Sequence, residues 1–273
     1  METFNRMKGS KILIKGAGEK ASAVAHRLYL CGFKKIVMTE RRYPLAERRH
    51  VCFCEALFDK NKEVMGVSAR KTDPSLEDIK KAWSSGMIAI AKDPNLSILS
   101  ELRPNVFIDA VMSKRNTGTG KDLAPCVISL GPGFNAGVDA HYVIETNPLS
   151  NFLGGVITEG KAEKDTGIPP SVSGLDQERI IRSPSEGILR SHKKIGNSVE
   201  KGEDIGSVGG GILKSPTKGV IWGLVRDGVR VKKDQKIGDI DPRGDERSCH
   251  EITPHSRSIA GGVIEAVLRF HLC

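Results

Sequence analysis

The stretch KILIKGAGEKASA, residues 11–23, carries residue types that could hold a pyrophosphate. Gly16, Gly18 and Ala21 fit a G-x-G-x-x-A pattern. In that pattern the first glycine allows a tight bend, the second lets backbone amides approach the phosphates, and the third small residue lets the helix pack on the strand. Apolar residues precede the turn and recur at helical spacing after it. We therefore predict a strand, a phosphate-binding turn and a helix, with an α/β turn that has lost its ligand as the alternative.

An acidic residue follows at the distance expected for a ribose contact. The second apolar segment, KKIVMTE, ends on Glu40, about twenty residues past the turn, where a carboxylate would accept hydrogen bonds from ribose hydroxyls. Arg41 and Arg42 stand next to it and could instead accommodate a 2′-phosphate. NAD-like and NADP-like ligands therefore both remain open.

Two later loops have a composition typical of ligand contacts. SKRNTGTGKD places Lys114, Arg115 and Asn116 among glycines, a mixture suited to phosphate or carboxylate oxygens. In GPGFNAGVD, Gly131 and Gly133 permit close approach of the backbone to a ligand. Each loop follows a strand-like segment, and ligand sites of parallel sheets gather at the carboxyl ends of the strands. We therefore assign both loops to a site for a small phosphate-bearing ligand.

Asp139 and His141 are the candidates for proton transfer. Together with Glu145 they share one side if the segment is extended, although three polar residues on one strand face are often only exposed to solvent. Histidine titrates near neutrality and a carboxylate can orient it, so the pair could act as acid and base or as metal ligands. No Ser-His-Asp or Cys-His signature accompanies them, and we assign no metal site.

The elements that must position these residues alternate between strand-like and helix-like segments. SLEDIKKAWSSG reads as a helix, and MIAIA, NVFIDAV and CVISLGPG read as buried strands. This alternation predicts an α/β fold with a Rossmann-like, mostly parallel sheet over residues 1–175. We predict that a small all-β barrel-sandwich hybrid follows over residues 176–245, and that a C-terminal helix within residues 246–273 packs back on the body.

The prediction of the β domain rests on an internal repeat. SPSEGILRSHKKIGNSVEKGEDIGSV, from Ser183, aligns with SPTKGVIWGLVRDGVRVKKDQKIGDI, from Ser215, at a shift of 32 residues. Short strands between glycine turns, repeated twice, predict two interlocked half-barrels with one core, similar to biotinyl and lipoyl carrier domains. The connecting segment SVGGGILKSP lacks a methionine-lysine-methionine element, and Lys214 lies beside the second repeat, so we expect neither biotin nor lipoate. The loop GDIDPRGD, with Asp239 and Asp241, is predicted to be a structural turn, with a domain contact or ligand lid as alternatives.

Composition limits the classes of partner. The net charge is +9, but basic residues occur in short patches between acids and only 5% of residues are aromatic, which argues against nucleic acid. No uncharged apolar stretch of about eighteen residues occurs, so we expect no membrane span. Six scattered cysteines fit reduced thiols better than a disulfide framework, and we predict a cytoplasmic protein.

Several blocks in a fixed order resemble one protein family. They are GAGEKASAVAHRLYLCGF, PLAERR, DAVMSKRNTGT, LGPGFNAGVDAHYVIET, DTGIP, RSPSEGI, GDIDPRGD and GGVIEAVL. They resemble the YqeB-like accessory family of selenium-dependent molybdenum hydroxylase systems, from about Lys11 to Leu268. The resemblance implies a role in the maturation of hydroxylases that use a molybdopterin cofactor and labile selenium, and an N-terminal half like the Rossmann part of XdhC-type insertion factors. The first turn departs from a GAGDLAT-like stretch, which puts Lys20 beside the phosphate position and leaves the cofactor open.

The leading hypothesis is a maturation factor that binds a nucleotide or molybdopterin cytosine dinucleotide through its Rossmann-like domain. Its barrel would engage a molybdenum hydroxylase, another maturation protein or a second copy of the chain. One alternative is an NAD(P)-dependent oxidoreductase that uses Asp139 and His141. The other is a non-catalytic binding scaffold whose nucleotide site has lapsed.

Overall fold

Apolar strands of the N-terminal part build a large sheet in the computed structural model, which describes residues 7–272. The strands are, in chain order, β1 (Lys11–Lys15), β2 (Lys35–Glu40), β3 (Asn61–Val64), β4 (Val67–Thr72), β5 (Ile88–Lys92), β6 (Val106–Asp109), β7 (Cys126–Leu130), β8 (Asn135–Ala136), β9 (Tyr142–Ile144), β10 (Val156–Ile157) and β11 (Gly160–Lys161). Strands β8 and β11 pair separately, and the others form one nine-stranded sheet. Most of its central strands are buried on both faces, as expected where helices cover a parallel sheet.

The order of the large sheet is β10-β9-β7-β6-β1-β2-β5-β4-β3. All neighbours from β9 to β4 are parallel, and β10 and β3 are antiparallel strands at the two edges. The predicted α/β class with a mostly parallel sheet is confirmed. From β1 the chain first builds one side of the sheet, where β2 is followed by β3 and β4 at the edge and β5 then lies between β2 and β4. It then returns to build the other side from β6. The carboxyl ends of β1 and β6 therefore lie side by side where the strand order reverses.

Helices cover this sheet, and capping residues mark the ends of two of them. They are α1 (Glu19–Leu30), α2 (Ala56–Asp59), α3 (Leu76–Ser84), α4 (Leu99–Leu102) and α5 (Pro254–Leu272). Ser75 caps α3 by accepting a hydrogen bond from the amide of Asp78, and Gly32 follows α1 in a left-handed conformation that favours glycine. Among the described residues, no helix is long and apolar enough to cross a membrane.

Helix α5 packs against α1 and reaches the strands beside it. Gly262 has a packing role in this helix. A Cβ at this position would lie 1.9 Å from the carbonyl oxygen of Gly154. Only a glycine therefore lets α5 approach this loop so closely.

The second unit is all-β and consists of Leu45–Cys52 and Gly167–Glu251. Its strands are β12 (Ile180–Arg182), β13 (Gly187–Ser191), β14 (Ser198–Val199), β15 (Asp204–Val208), β16 (Gly211–Lys214), β17 (Gly219–Leu224), β18 (Arg230–Val231) and β19 (Lys236–Asp241). They form two four-stranded antiparallel sheets, ordered β12-β19-β17-β14 and β16-β15-β13-β18.

The 32-residue repeat appears in this unit strand by strand. Strands β13, β14 and β15 of the first repeat correspond to β17, β18 and β19 of the second. Each repeat lends its middle strand to the other, because β13 pairs with β18 and β17 pairs with β14. Side chains from both repeats fill one apolar core, so neither half could bury its strands alone.

The contact pattern divides the chain differently from the predicted ranges 1–175, 176–245 and 246–273. Residues 7–44, 53–166 and 252–272 form the first unit, while the segment Leu45–Cys52 joins the second. The amide of Leu224 donates to the carbonyl of Glu47, and Arg49 Nε donates to the carbonyl of Leu224. The segment thus runs along the end of β17, a pairing across 175 residues that no local pattern indicates.

Candidate functional site

Polar side chains of four adjacent strands form a row at the carboxyl edge of the large sheet. Parallel register places Lys15 of β1 between Thr39 of β2 and Asp109 of β6, and Ser129 of β7 lies next to Asp109. We call these four residues the polar row; register partners in a parallel sheet point to the same face. Ser129 is fully buried, and its hydroxyl has no hydrogen-bond partner among the described residues. The layer beneath the polar row is apolar and consists of Leu13, Val37, Phe107 and Val127.

An ion pair holds the centre of the polar row. Lys15 Nζ lies 3.2 Å from Asp109 Oδ2, with side-chain exposures of 14% and 1%. The ammonium group also donates to Thr117 Oγ1 at 2.9 Å, and Thr119 Oγ1 donates to Asp109 Oδ2 at 2.6 Å. Both threonines belong to residues 111–120, which we call the post-β6 loop. The ion pair therefore neutralises a buried carboxylate and ties this loop to the end of β1.

The predicted glycine turn lies beside this ion pair. Gly16 has a φ of +102°, its amide donates to the carbonyl of Thr39, and a Cβ there would lie 3.1 Å from the carbonyl oxygen of Ala110. Gly18 precedes α1, and nothing lies within 4 Å of a Cβ built on it. Ala21 is fully buried under the helix. The first and third positions of the motif are thus packed, and the second faces open space.

Glu40 ends β2 next to this turn. Its Oε2 accepts a hydrogen bond from the amide of Ala17 at 3.0 Å, and its Oε1 accepts one from the amide of Arg41 at 2.8 Å. Glu40 therefore closes the glycine turn in this structure. Each carboxylate oxygen can accept a further hydrogen bond, so a ribose contact is compatible with these bonds.

The predicted phosphate-contacting residues of the post-β6 loop have different surroundings. Lys114 forms an exposed ion pair with Asp165, and Asn116 Oδ1 accepts hydrogen bonds from the amides of Gly118 and Thr119. Asn116 thus shapes the loop, because its short side chain satisfies amides that the turn leaves free. Arg115 is exposed and has no side-chain partner among the described residues. Of the three, Arg115 alone presents an uncommitted charge.

Gly131 and Gly133 permit the close approach of neighbouring protein atoms. A Cβ on Gly133 would lie 2.5 Å from the Cα of Arg115, and one on Gly131 would lie 2.4 Å from Thr146 Oγ1. Both glycines have positive φ as well. Gly133 brings the loop after β7 against the post-β6 loop, so loop packing already requires a glycine there, and the ligand contact of both glycines stays a prediction.

Asp139 and His141 do not form the predicted pair. Asp139 Oδ2 accepts from the amide of Asn135 at 2.8 Å, and His141 Nδ1 accepts from the amide of Val127 at 3.0 Å. Burial, with a smaller contribution from Lys121, lowers the pKa of His141. Because His141 directly precedes β9, it lies at the amino edge of the sheet, opposite the glycine turn.

Glu145 does not join them either. It is buried, and its two carboxylate oxygens accept hydrogen bonds from three backbone amides, those of Thr146, Asn147 and Glu163. The segment bends after β9, so the shared side expected of an extended strand does not form. Glu145 holds this bend in place.

Sequence comparison identifies a relative of this chain. No family model matches it. "Uncharacterized protein YqeB" of Escherichia coli (strain K12) is 44% identical over 257 residues, which is 94% of this chain. This chain is therefore similar over most of its length to a part of that protein. The aligned part is 47% of the relative, so the chain spans about half the length of the protein that it matches.

Similar solved structures are far more distant. A succinylglutamate desuccinylase/aspartoacylase from Rhodobacter sphaeroides has a TM-score of 0.22 at 20% identity and covers 32% of this chain and 30% of its own. An aspartoacylase family protein from Mesorhizobium loti has a TM-score of 0.25 at 14% identity and covers 85% of this chain and 84% of its own. Similarity at this level carries no inference about fold or activity.

Sequence reasoning missed the polar row, although a signal for it was present. Lys15 ends the apolar segment KILIK, and Asp109 ends VFID. A charged residue that closes an otherwise buried strand is costly unless it is paired. Two such strands of opposite charge therefore indicate neighbours, and this rule would have selected the pair.

The second unit contains its own group of buried and half-buried charged residues around Trp222. We call it the tryptophan cluster, and it consists of Trp222, Arg48, Arg179, Asp239, Lys236 and Glu47. The guanidinium carbon of Arg48 lies 4.0 Å from the centre of the Trp222 ring, and Arg48 donates to the carbonyls of Ser248 and Glu251. Arg179 pairs with Asp239 at 2.9 Å.

Lys236 completes the tryptophan cluster, because it contacts both Glu47 and Asp239 at 2.9 Å. Burial raises the pKa of Glu47 to about 7. In the loop GDIDPRGD, Arg243 forms a bidentate pair with buried Asp241. The Arg243–Asp241 pair holds the loop GDIDPRGD as a structural turn. The Lys236–Glu47 contact anchors the segment Leu45–Cys52.

Proposed function

We propose that this chain binds a nucleotide-containing cofactor by its pyrophosphate at the carboxyl edge of the large sheet. The observation that carries the proposal is the position of the glycine turn, which follows β1 where the strand order reverses. In doubly wound sheets, ligands bind in the crevice at this point. With the edge strands β3 and β4, which precede β5 in the chain, set aside, the order β5-β2-β1-β6-β7-β9 corresponds to the 3-2-1-4-5-6 order of Rossmann dinucleotide-binding domains. This correspondence supports the Rossmann-like assignment.

The open side of the turn supplies the phosphate contacts in this proposal. Backbone amides from Gly18 onward, at the N-terminus of α1, would donate to phosphate oxygens. Glu19 in the first helical turn does not oppose this, because its carboxylate accepts hydrogen bonds from Lys20 and from Ser256 of α5. Arg115 would neutralise a phosphate from the post-β6 loop, and Glu40 would bind a ribose hydroxyl.

We further propose an accessory role in the maturation of selenium-dependent molybdenum hydroxylases, with molybdopterin cytosine dinucleotide or NAD(P) as the bound molecule. Both contain a pyrophosphate, which the proposed site would recognise. The sequence blocks shared with the YqeB-like family support the accessory role. We propose that the second unit, as a barrel-sandwich hybrid without a carrier lysine, engages the hydroxylase or another maturation protein.

The oxidoreductase alternative has no comparable support. It required Asp139 and His141 next to the nicotinamide. His141 lies instead at the amino edge of the sheet, so it is not the acid or base beside the glycine turn. The scaffold alternative differs from the proposal only in predicting no ligand, so one experiment separates the two.

The test is isothermal titration of the purified chain with NAD, NADP, CTP and molybdopterin cytosine dinucleotide. Gly18→Asp should weaken the binding of the accepted ligand by about a hundredfold or more, since it places a carboxylate against the phosphates. The matched control is Gly261→Asp in α5, where a Cβ also meets nothing within 4 Å and binding should be unchanged. Binding of the pterin dinucleotide alone would favour the maturation role, and binding of NAD or NADP alone would favour hydride chemistry. If none of the four ligands binds the wild-type chain, the nucleotide proposal fails.

A cellular assay tests the accessory role separately. In cells that lack the gene, Gly261→Asp should restore the activity of a selenium-dependent molybdenum hydroxylase, and Gly18→Asp should not. Equal restoration by both variants would contradict a role of the nucleotide site in maturation.

A further inference from the structure

A cleft lies at the amino edge of the large sheet, opposite the polar row. It has a volume of about 790 Å³ and lies within the first unit. Ser100 and Arg103 contribute from α4 and its end, Lys121 and Leu123 from the segment before β7, and His141 from the position before β9. Small-molecule sites commonly have volumes of about 300–1,000 Å³, so this cleft could hold a metabolite-sized ligand.

Two fixed positive charges line this cleft. Arg103 is exposed, and no ion pair or side-chain hydrogen bond joins it to any other described residue. Lys121 Nζ donates to the carbonyl of Gly137 at 3.2 Å, which uses one of its three protons. Asp122 is the single acidic residue of the lining. The cleft therefore presents a net positive charge with free donors.

His141 adds a neutral donor to the same cleft. Its Nδ1 accepts the hydrogen bond from the amide of Val127, so the neutral ring carries its proton on Nε2. Nε2 has no partner among the described residues. Burial and the charge of Lys121 lower the pKa of His141, which keeps the ring in this neutral form. The backbone bond thus fixes the ring and leaves Nε2–H to donate.

Other cations lie near Arg103 at the amino edge of the sheet. Burial is the largest cause that lowers the pKa of Lys11 at the start of β1, and the like charges of Lys35, Arg103 and Lys80 lower it further. Lys11 itself donates to the carbonyl of Leu102, next to Arg103. Like charges that repel each other without acidic partners produce a positive potential that an anion would relieve.

We propose that the amino-edge cleft binds a small polyanion, carrying a phosphate group or clustered carboxylates, through Arg103, Lys121 and the Nε2–H of His141. This site is separate from the proposed nucleotide site and does not depend on it. Phosphate and clustered carboxylates share the recognised chemistry, which is negatively charged oxygen bound by charge-assisted hydrogen bonds.

The histidine ring provides a local readout. The chain has seven histidines, so their ¹³Cε1 NMR signals can be resolved, and His141→Gln identifies the signal of His141 by its loss. We expect inorganic phosphate or citrate to shift this signal in a saturable way. Arg103→Gln and Lys121→Gln should each weaken that binding by about tenfold, the effect of one charge-assisted contact. Lys62→Gln in β3 is the matched control and should bind as the wild type does.

The result identifies the ligand class or overturns the proposal. Saturation by phosphate alone indicates a phosphorylated ligand, saturation by citrate alone indicates a polycarboxylate, and saturation by both indicates an unselective anion site. Gly18→Asp should leave all of these unchanged, which separates this cleft from the glycine turn. The proposal is wrong if neither anion shifts the His141 signal in a saturable way, or if Arg103→Gln with Lys121→Gln binds as tightly as the wild type.

Discussion

The polar row and the tryptophan cluster both contain buried ion pairs, but the polar row lies at the strand ends that lead into the glycine turn. Lys15 directly precedes the glycine turn, in which a Cβ on Gly18 would meet nothing within 4 Å. In the tryptophan cluster Glu47 and Asp239 pair with Lys236 and Arg179 inside the β unit. The contact of Glu47 anchors the segment Leu45–Cys52. A buried ion pair thus indicates a candidate site only where it adjoins a surface that a ligand can reach.

Loss of the ion pair in the polar row should have the largest effect. Lys15→Ala leaves Asp109 buried without its partner, and we expect the first unit to lose about 3 kcal/mol of unfolding free energy. Ligand binding at the glycine turn should weaken as well, because the post-β6 loop loses its tether to β1. Urea unfolding followed by Trp83 fluorescence in a Trp222→Phe background measures the change.

The control for Lys15→Ala is Lys81→Ala, which removes an exposed pair with Glu77. Water and salt screen such an exposed pair, so its loss should leave the unfolding free energy nearly unchanged. Equal losses of unfolding free energy for the two variants would show that the buried Lys15–Asp109 pair stabilises the chain no more than an exposed pair does.

Replacement of Arg48 should affect the tryptophan cluster and leave the polar row unchanged. Arg48 is 4% exposed, stacks on Trp222 and donates to two carbonyls. Arg48→Ala should therefore destabilise the second unit by about 2–3 kcal/mol and leave ligand affinity at the glycine turn unchanged. The free energy can be followed by Trp222 fluorescence in a Trp83→Phe background. A loss of ligand affinity at unchanged stability would break the distinction between structural and functional charge.

Glu47 should give the tryptophan cluster a characteristic pH dependence. Its pKa is raised from 4.5 to about 7 in the folded chain, so the folded state holds the proton more tightly than the unfolded state does. The resulting stabilisation is complete below pH 4.5 and is lost as the pH rises through 7. Relative to Glu47→Gln, the wild type should lose on the order of 2 kcal/mol between pH 4.5 and pH 8. Parallel stability profiles for the two proteins would rule this out.

Local sequence patterns predicted the helices and strands better than they predicted which of these elements contact each other. The helical spacing after Gly18, the left-handed Gly32 and the Ser75 cap all depend on neighbours within a few residues. The repeat also indicated its own pairing, because strands duplicated at a fixed interval can bury their apolar faces only against each other. Asn116 and Gly133 were selected for a ligand because their residue types suit a ligand and a loop contact equally well.

The sequence by itself determined the α/β class, the glycine turn, the interlocking repeat and the acidic end of β2, since each follows from periodicity or from backbone freedom within a short segment. The tertiary structure alone decided that Lys15 meets Asp109, 94 residues away, and that His141 faces the edge opposite the turn. It also decided that Arg48 lies buried on Trp222 rather than at the surface. These outcomes depend on strand order and register, which are set by the burial of the whole sheet and not by any residue's neighbours along the chain.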